Sequence, residues 1–327
     1  MRRPRTLVAM GAQVARRLLR EPVTSRLAMV ADCDPGQVVH DFTGVDLADV
    51  EVLYTSWGCP MVSADVLARA PRLRAIVHAA GSVKHHVSDA CWQRGILVST
   101  AAAANAEPVA EFTLAAILFA NKRVVDIARD YRAGRTDRDW DARYPGFGNY
   151  RRTAGIVGAS RIGRRVIELL RPFDLEVLVS DPYLHEDLGA ERVGLDELVA
   201  RSDVVSLHAP DLPETRRMID AGRLAAMRDG ATLINTARAA LVDQDALVAE
   251  LVKGRLYAVL DHTEPEILPA GSPLYDLPNA LVTPHIAGSL GGELARMADL
   301  AVDELARYAR GLPFAHEVEP ATLSRSA

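Results

Sequence analysis

Short apolar runs recur along this chain with helix-patterned segments between them, and that alternation most limits how it folds. The first hundred residues carry "TLVAM" at 6–10, "RLAMVAD" at 26–32, "VEVLYTS" at 50–56, "LRAIVHA" at 73–79 and "GILVST" at 95–100. A second series follows as "TAGIVG", "LEVLVSD", "SDVVSLHAP", "ATLINTA", "RLYAVLD" and "NALVTPH" between 153 and 285. Strands that alternate with helices build parallel βαβ units. Runs apolar at nearly every position suit strands covered on both faces. The chain is therefore read as α/β, with two doubly wound parallel sheets. Its 327 residues exceed what one core fills, which also fits two domains.

Between the two series, "AEPVAEFTLAAILFANKRVVDIARDYRAG" at 106–134 reads as one long bridging helix. Val109, Phe112, Ala116, Phe119 and Val124 form its stripe, with Pro108 in the first turn and Gly134 at the stop. "RTDRDWDARYPGFGNYRR" reads as a loop. "GGELARMADLAVDELARYARG" at 291–311 reads as a terminal helix returning to the first domain, with Leu294, Met297, Ala301, Leu305 and Tyr308 in helical spacing. "QVARRLL" near the start reads as an amphipathic helix of the fold rather than part of a transit peptide, despite the arginine-rich opening.

Composition excludes several classes. The formal net charge is -5 with both signs interspersed, which gives a nucleic-acid surface no support. Cys33, Cys59 and Cys91 have neither the spacing of a disulfide framework nor that of a zinc site, so a reducing, cytoplasmic setting and no metal are expected. The apolar run at 109–120 is too short to cross a bilayer, so no membrane partner is expected.

The strand, turn and helix of "TAGIVGASRIGRRVIELLRPF" contain Gly158, Ala159, Ser160, Arg161, Ile162 and Gly163. Such a turn points backbone N–H groups and a helix N-terminus at a pyrophosphate. Ser160 stands where the pattern has its middle glycine, which weakens the match. Asp181 ends the next strand 23 residues after Gly158, close to the roughly 20 expected of an acid that takes the adenosine ribose hydroxyls. An acid there repels a 2′-phosphate, so NAD is favoured over NADP. The competing reading is a strand-end residue before Pro182.

Three later strand ends, "NTARAALVD", "LDHTEPE" and "TPHIAG", supply polar groups that a bare fold does not need. Arg238 offers a planar fork for a carboxylate. His285 offers an imidazole, which titrates near neutrality and so both donates and accepts. Glu264, if bonded to the other ring nitrogen, would orient that ring and stabilise the imidazolium. His262 is read as an ordinary strand-end residue.

On the glycine turn, Asp181, "LHAP" at 207–210 with "ETRRMI", "NTAR", "LDHTEP" and "TPHIAG", the chain resembles the D-isomer-specific 2-hydroxyacid dehydrogenase family, phosphoglycerate dehydrogenase-like, over almost its whole length. The resemblance implies an oxidoreductase that moves a hydride between NAD(H) and a small 2-hydroxy or 2-keto acid. It implies Arg238 on the substrate carboxylate, Glu264 with His285 as the acid/base pair, and Asp261 on the nicotinamide amide. His208, Ala209, Pro210, Thr215, Thr236, Ala237 and Gly288 fall on its cofactor cleft, and Asn105 on the bridging helix falls on its substrate side. It implies a Rossmann NAD-binding domain, residues 105–289, inserted into a flavodoxin-like substrate domain of residues 1–104 and 290–327. It also implies a homodimer through the nucleotide-binding domain. Because the family includes corepressors, an NAD(H)-sensing binding protein is the alternative.

The chain departs from the family at "AAGSVKHH", residues 79–86, where a glycine-containing substrate loop is usual. Gly81 remains, Ser82 replaces a glycine and Lys84 replaces the common acid. Lys84, with His85 or His86, would favour a second anionic group on the substrate; the plain reading is a solvated lysine. Trp57 in "SWGCP" either lines a pocket for an apolar group or packs the domain face.

Overall fold

The computed structural model describes residues 2–321. The chain divides into two compact units, one formed by the described residues of Met1–Ala106 and Ser289–Ala327, the other by Glu107–Gly288.

The first unit holds a five-stranded sheet of β1 (Thr6–Ala9), β2 (Val38–Val39), β3 (Val52–Thr55), β4 (Ala75–His78) and β5 (Leu97–Thr100). Its order is β2-β1-β3-β4-β5 and every pairing is parallel. This is the flavodoxin-like winding, whose order reverses beside the first strand. β3 and β4 are buried at every position, as strands covered on both faces must be. One face packs Met10, Tyr54 and Val77 against the helices Val23–Val30 and Leu294–Ala309, through Leu27, Met297, Ala301 and Leu305. Arg26 ties those two helices together by bonding Asp299 and, at 2.6 Å, Asp303. The opposite face packs Leu53, Ile76 and Val98 on Leu67, Leu73 and Cys91.

One expected strand is a helix. "RLAMVAD" folds within the helix Val23–Val30, because Val23, Leu27 and Ala31 recur every fourth residue and all three are buried against the C-terminal helix. That spacing shows only when Val23, outside the run, is counted.

The second unit holds β6 (Arg152–Val157), β7 (Leu175–Ser180), β8 (Glu191–Arg192), β9 (Val204–Leu207), β10 (Thr232–Asn235), β11 (Tyr257–Leu260) and β12 (Ala280–Val282). The order is β12-β11-β10-β9-β6-β7-β8, parallel throughout. It is the Rossmann winding with an added edge strand. Val157 pairs with Leu207, Leu207 with Asn235, Asn235 with Leu260 and Leu260 with Val282. Five carboxyl ends therefore lie in one row, where open α/β sheets bind ligands.

The bridging helix starts earlier and stops sooner than its sequence suggested, spanning Ala102–Asn121 with Pro108 inside. A second helix, Val124–Gly134, follows after Arg123, whose φ of 53° breaks the run. The Arg123 side chain turns inward, lying 3.6 Å over the Tyr257 ring and bonding the Gly230 carbonyl. These contacts offset the roughly 1–2 kcal/mol cost of a left-handed L-residue. The buried residues of the first helix include the expected Val109 together with Ala106, Ala110, Thr113 and Ile117, whereas Phe119 is 54% exposed. On length and composition alone this helix could cross a bilayer; in the fold Ala110 and Ile117 sit in a core with Ile156 and Ile234. The loop after it contains one short helix, Trp140–Arg143, capped by Asp139.

Candidate active site

The β6 turn is built for close backbone approach. Gly158 sits at φ +95°, and a Cβ there would lie 2.7 Å from the Ala209 backbone nitrogen. Gly163 faces the Gly158 carbonyl with no room for a side chain. Ser160 has an ordinary extended backbone, φ -65°, and caps the helix Arg161–Leu170 by accepting from the Gly163 N–H at 3.4 Å. Serine is thus no obstacle to the turn, since that position needs no glycine backbone. Arg161 is exposed on the first turn of the helix and Ile162 is half-buried. Asp181, at the end of β7, accepts from the Ala159 N–H at 2.6 Å and from the Tyr183 N–H at 2.7 Å. Its carboxylate therefore stands beside the glycine turn, as a ribose acceptor must.

The wall of the cleft comes from β9. His208 is buried, its Nε2 lies 2.9 Å from the Ser206 hydroxyl, and burial pushes its imidazole down to about 3. It is a neutral wall residue beside Ala209 and Pro210. Thr215 donates to the Pro210 carbonyl at 2.6 Å and accepts from the Leu212 N–H, closing that loop. Thr236 pairs with Thr113 at 2.9 Å in the interior.

Arg238 is presented by a turn organised by Asn235, to which the sequence reading gave no role. The Asn235 side chain accepts from the Ala237 N–H at 3.1 Å and donates to the Arg238 carbonyl at 2.9 Å. An asparagine opening a strand-end turn was the available signal. Burial lowers the guanidinium's proton affinity, partly offset by Asp211 and Glu266.

Asp261 organises the turn that carries His285. Its buried carboxylate accepts from the Thr283 hydroxyl at 2.6 Å, the Ile286 N–H at 2.8 Å and the Ala287 N–H at 2.9 Å, and its carbonyl accepts from the His285 N–H. These bonds hold His285 at φ 55°, a conformation uncommon for a non-glycine residue. Gly288 follows directly and ends the second unit.

The carboxylate on His285 is Glu266, not the expected Glu264. Nδ1 of His285 lies 2.7 Å from Glu266 Oε1, and this bond, before the charges of His285, His262 and Arg238, holds the Glu266 carboxyl below its ordinary range. The backbone of Glu264 is pinned on Gln244, donating to Oε1 at 2.9 Å and accepting from Nε2 at 2.7 Å. Its side chain points to Arg216 at 3.5 Å. Thr263 donates to the carbonyls of Pro265 and Glu266, folding the segment so that the second acid meets the histidine. His262 is also more than a strand end, since its ring centroid is 3.9 Å from that of His285.

In the first unit, the remaining expected residues follow the carboxyl ends of β3, β4 and β5. Trp57 is 41% exposed, on a turn where Gly58 packs against Gly11. Gly81 and Ser82 are half-buried and Lys84 is exposed. Asn105 accepts from the Ser289 N–H at 2.9 Å, with its amide nitrogen near Gly81. His86 departs from expectation by turning inward, where it is buried beside His78 and Thr55. Burial pushes it down to about 4, so it is no cationic partner for an anion.

A glycine turn closing on a helix N-terminus, an acid after the second strand, and an Arg with a Glu–His pair on neighbouring strand ends define an NAD-linked oxidoreductase. Residues 114–287 match the family described as D-isomer specific 2-hydroxyacid dehydrogenase, NAD binding domain. A glyoxylate reductase of Korarchaeum cryptofilum is 36% identical over 257 residues, covering 76% of this chain and 77% of that protein. A D-3-phosphoglycerate dehydrogenase of Mycobacterium tuberculosis is 34% identical over 97% of this chain, which spans only 56% of that relative's length. Among solved structures, a D-lactate dehydrogenase of Aquifex aeolicus complexed with NAD and lactic acid is 29% identical, with a TM-score of 0.72, covering 94% of this chain and 96% of that one. The chain belongs to the D-isomer specific 2-hydroxyacid dehydrogenase family. Its cofactor is NAD and its reaction class is hydride transfer between NAD(H) and a 2-hydroxy or 2-keto acid.

Proposed function

We propose that the protein interconverts a small D-2-hydroxy acid and its 2-keto acid, with Arg238, His285 and Glu266 as the working residues. The observation that carries this reading is the 2.7 Å His285–Glu266 pair in the same strand-end row as Arg238. NAD, when bound against Gly158–Gly163, Asp181 and the β9 wall, accepts or supplies the hydride. Arg238 clamps the carboxylate with two parallel hydrogen bonds and so fixes the orientation of the neighbouring carbonyl. His285, held at Nδ1 by Glu266, has Nε2 available to give a proton to the carbonyl oxygen or take it from the hydroxyl. Glu266 stabilises the imidazolium formed in the oxidative direction.

The reading extends to the substrate. Lys84 is an exposed cation on the loop after β4, and we infer that it favours a 2-keto acid with a second anionic group. A panel of mono- and dianionic keto acids followed by NADH absorbance tests both parts. Turnover is expected with at least one member, and Lys84→Ala is expected to narrow the preference for dianions about tenfold, the order of one charge-assisted contact. Tight NADH binding with no turnover across the panel would leave an NAD(H)-sensing protein, and an unchanged ranking would remove Lys84.

The free thiols of Cys33, Cys59 and Cys91 support a reducing, cytoplasmic setting. A homodimer through the second unit is supported by the apolar face around Phe119, Val125 and Leu281, each more than a third exposed. Sedimentation equilibrium checks that state.

A further inference from the structure

We propose that His262 is a positioning residue that braces the ring of His285 by direct ring contact, in addition to the bond to Glu266. The inference rests on the reading of His285 as the proton carrier. The two rings lie with centroids 3.9 Å apart and planes tilted by 56°, a direct ring-to-ring contact.

The need for a brace follows from how His285 is mounted. Its side chain is 48% exposed, its backbone is left-handed, and among the described residues its ring makes one hydrogen bond, to a Glu266 side chain that is itself 69% exposed. A single bond to an exposed carboxylate is a weak restraint on the ring. His262 is less exposed. It is half-buried at the end of β11, directly after the Asp261 that holds the 283–287 turn. Contact with that less exposed ring limits the swing of His285.

The charge state of His262 makes the contact useful. Burial above all, then the positive charges of His285 and Arg238, push its imidazole down to about 4, while Asp261 and Glu266 act in the opposite sense. Around neutral pH it is therefore an uncharged ring. An uncharged ring packs on His285 in either protonation state, whereas a second imidazolium would repel it as the proton arrived. Misplacing a reacting group by about 1 Å costs on the order of a hundredfold in rate, so the brace belongs to turnover rather than to binding.

The test uses the full chain with NADH and the best keto acid of the panel, comparing His262→Val, His262→Phe, His262→Gln and His285→Ala. Removing the ring in His262→Val is expected to lower kcat by roughly ten- to a hundredfold, with the KM for the keto acid and the Kd for NADH within about twofold. His262→Phe, which restores a ring without a titrating nitrogen, is expected to recover most of kcat, and His262→Gln little of it. In the NADH complex of 15N-histidine-labelled protein, the low-field Nδ1 proton of His285 is expected to broaden in the valine variant and sharpen again in the phenylalanine variant. An unchanged kcat, a raised KM at constant kcat, rescue by Gln but not Phe, or an unchanged Nδ1 resonance would each overturn the brace. Because NADH affinity reports the fold of each variant, a misfolded valine protein is recognised, and the phenylalanine variant then decides by itself. His285→Ala separates the two layers: full turnover there removes the proton-carrier reading, whereas loss of turnover with a normal His262→Val removes only the brace.

Discussion

Glu264 and Glu266 have the same chemistry, lie two residues apart and do different things. Glu266 accepts from His285 across 2.7 Å, while the Glu264 carboxylate is 3.5 Å from Arg216 and 61% exposed. Both acids are exposed, so neither pair is a large source of stability; what separates them is the partner, because only Glu266 bonds the imidazole proposed to carry the proton. Glu266→Gln is therefore expected to lower kcat by about a hundredfold to ten-thousandfold, the range for losing general acid–base support, with NADH affinity intact. Glu264→Gln is expected to stay within about twofold. Steady-state kinetics of both variants decide the assignment, and the reverse pattern would return the role to Glu264. The residue types of the site were legible in the sequence: an Arg, an acid and a His on successive strand ends. Which acid was not legible, because "TEPEI" offers one carboxylate on each side of Pro265. Only the Gln244 clamp on the Glu264 backbone and the Thr263 bonds select between them.

The element proposed to place the cofactor is the β6 turn, where Gly158 has a backbone and a close contact that only glycine satisfies. Gly158 combines φ +95° with a Cβ position 2.7 Å from backbone at Ala209. Backbone cannot move aside as a flexible side chain can, so Gly158→Ala both strains the turn and pushes β9 away. A loss of about 2–4 kcal/mol is expected from positive-φ strain added to overpacking, together with a large rise in the Kd for NADH. Urea denaturation and fluorescence titration measure the two effects. An alanine variant of native stability and NADH affinity would show that the turn tolerates a side chain. Ser160→Gly, by contrast, removes a cap at a position with ordinary φ and is expected to change little. At this scale the sequence identified strands that are apolar throughout, since burial on both faces leaves a continuous signal. It did not disclose the break at Arg123 or the helix at Val23–Val30. Both depend on partners distant in the chain, Tyr257 and Gly230 for the first and the C-terminal helix for the second.

Across the whole molecule, buried uncharged histidines set how stability answers to pH. His78 and His86 in the first unit and His208 in the second are each no more than 4% exposed. Burial is the leading cause in all three, lowering His78 well below its ordinary range, His86 to about 4 and His208 to about 3. In the unfolded chain these imidazoles titrate near 6.5. Between that value and about 4 the unfolded state binds protons that the native state refuses, so unfolding free energy rises with pH through the window and is lost on acidification. The carboxylates act at lower pH, including the buried Asp126, whose raised proton affinity opposes the trend. Lowering the pH from 7.5 to 5 is therefore expected to cost on the order of 1–2 kcal/mol for each such histidine, from about 1.4 kcal/mol per pH unit. Urea midpoints measured every half unit test this, with His86→Gln removing one share of the slope. His86 sits on the loop after β4 and shares Thr55 with His78, so acid that charges it also loosens the loop bearing Lys84. A stability that is flat from pH 7.5 to 5, or a His86→Gln profile parallel to that of the unaltered protein, would mean these histidines take up protons without unfolding.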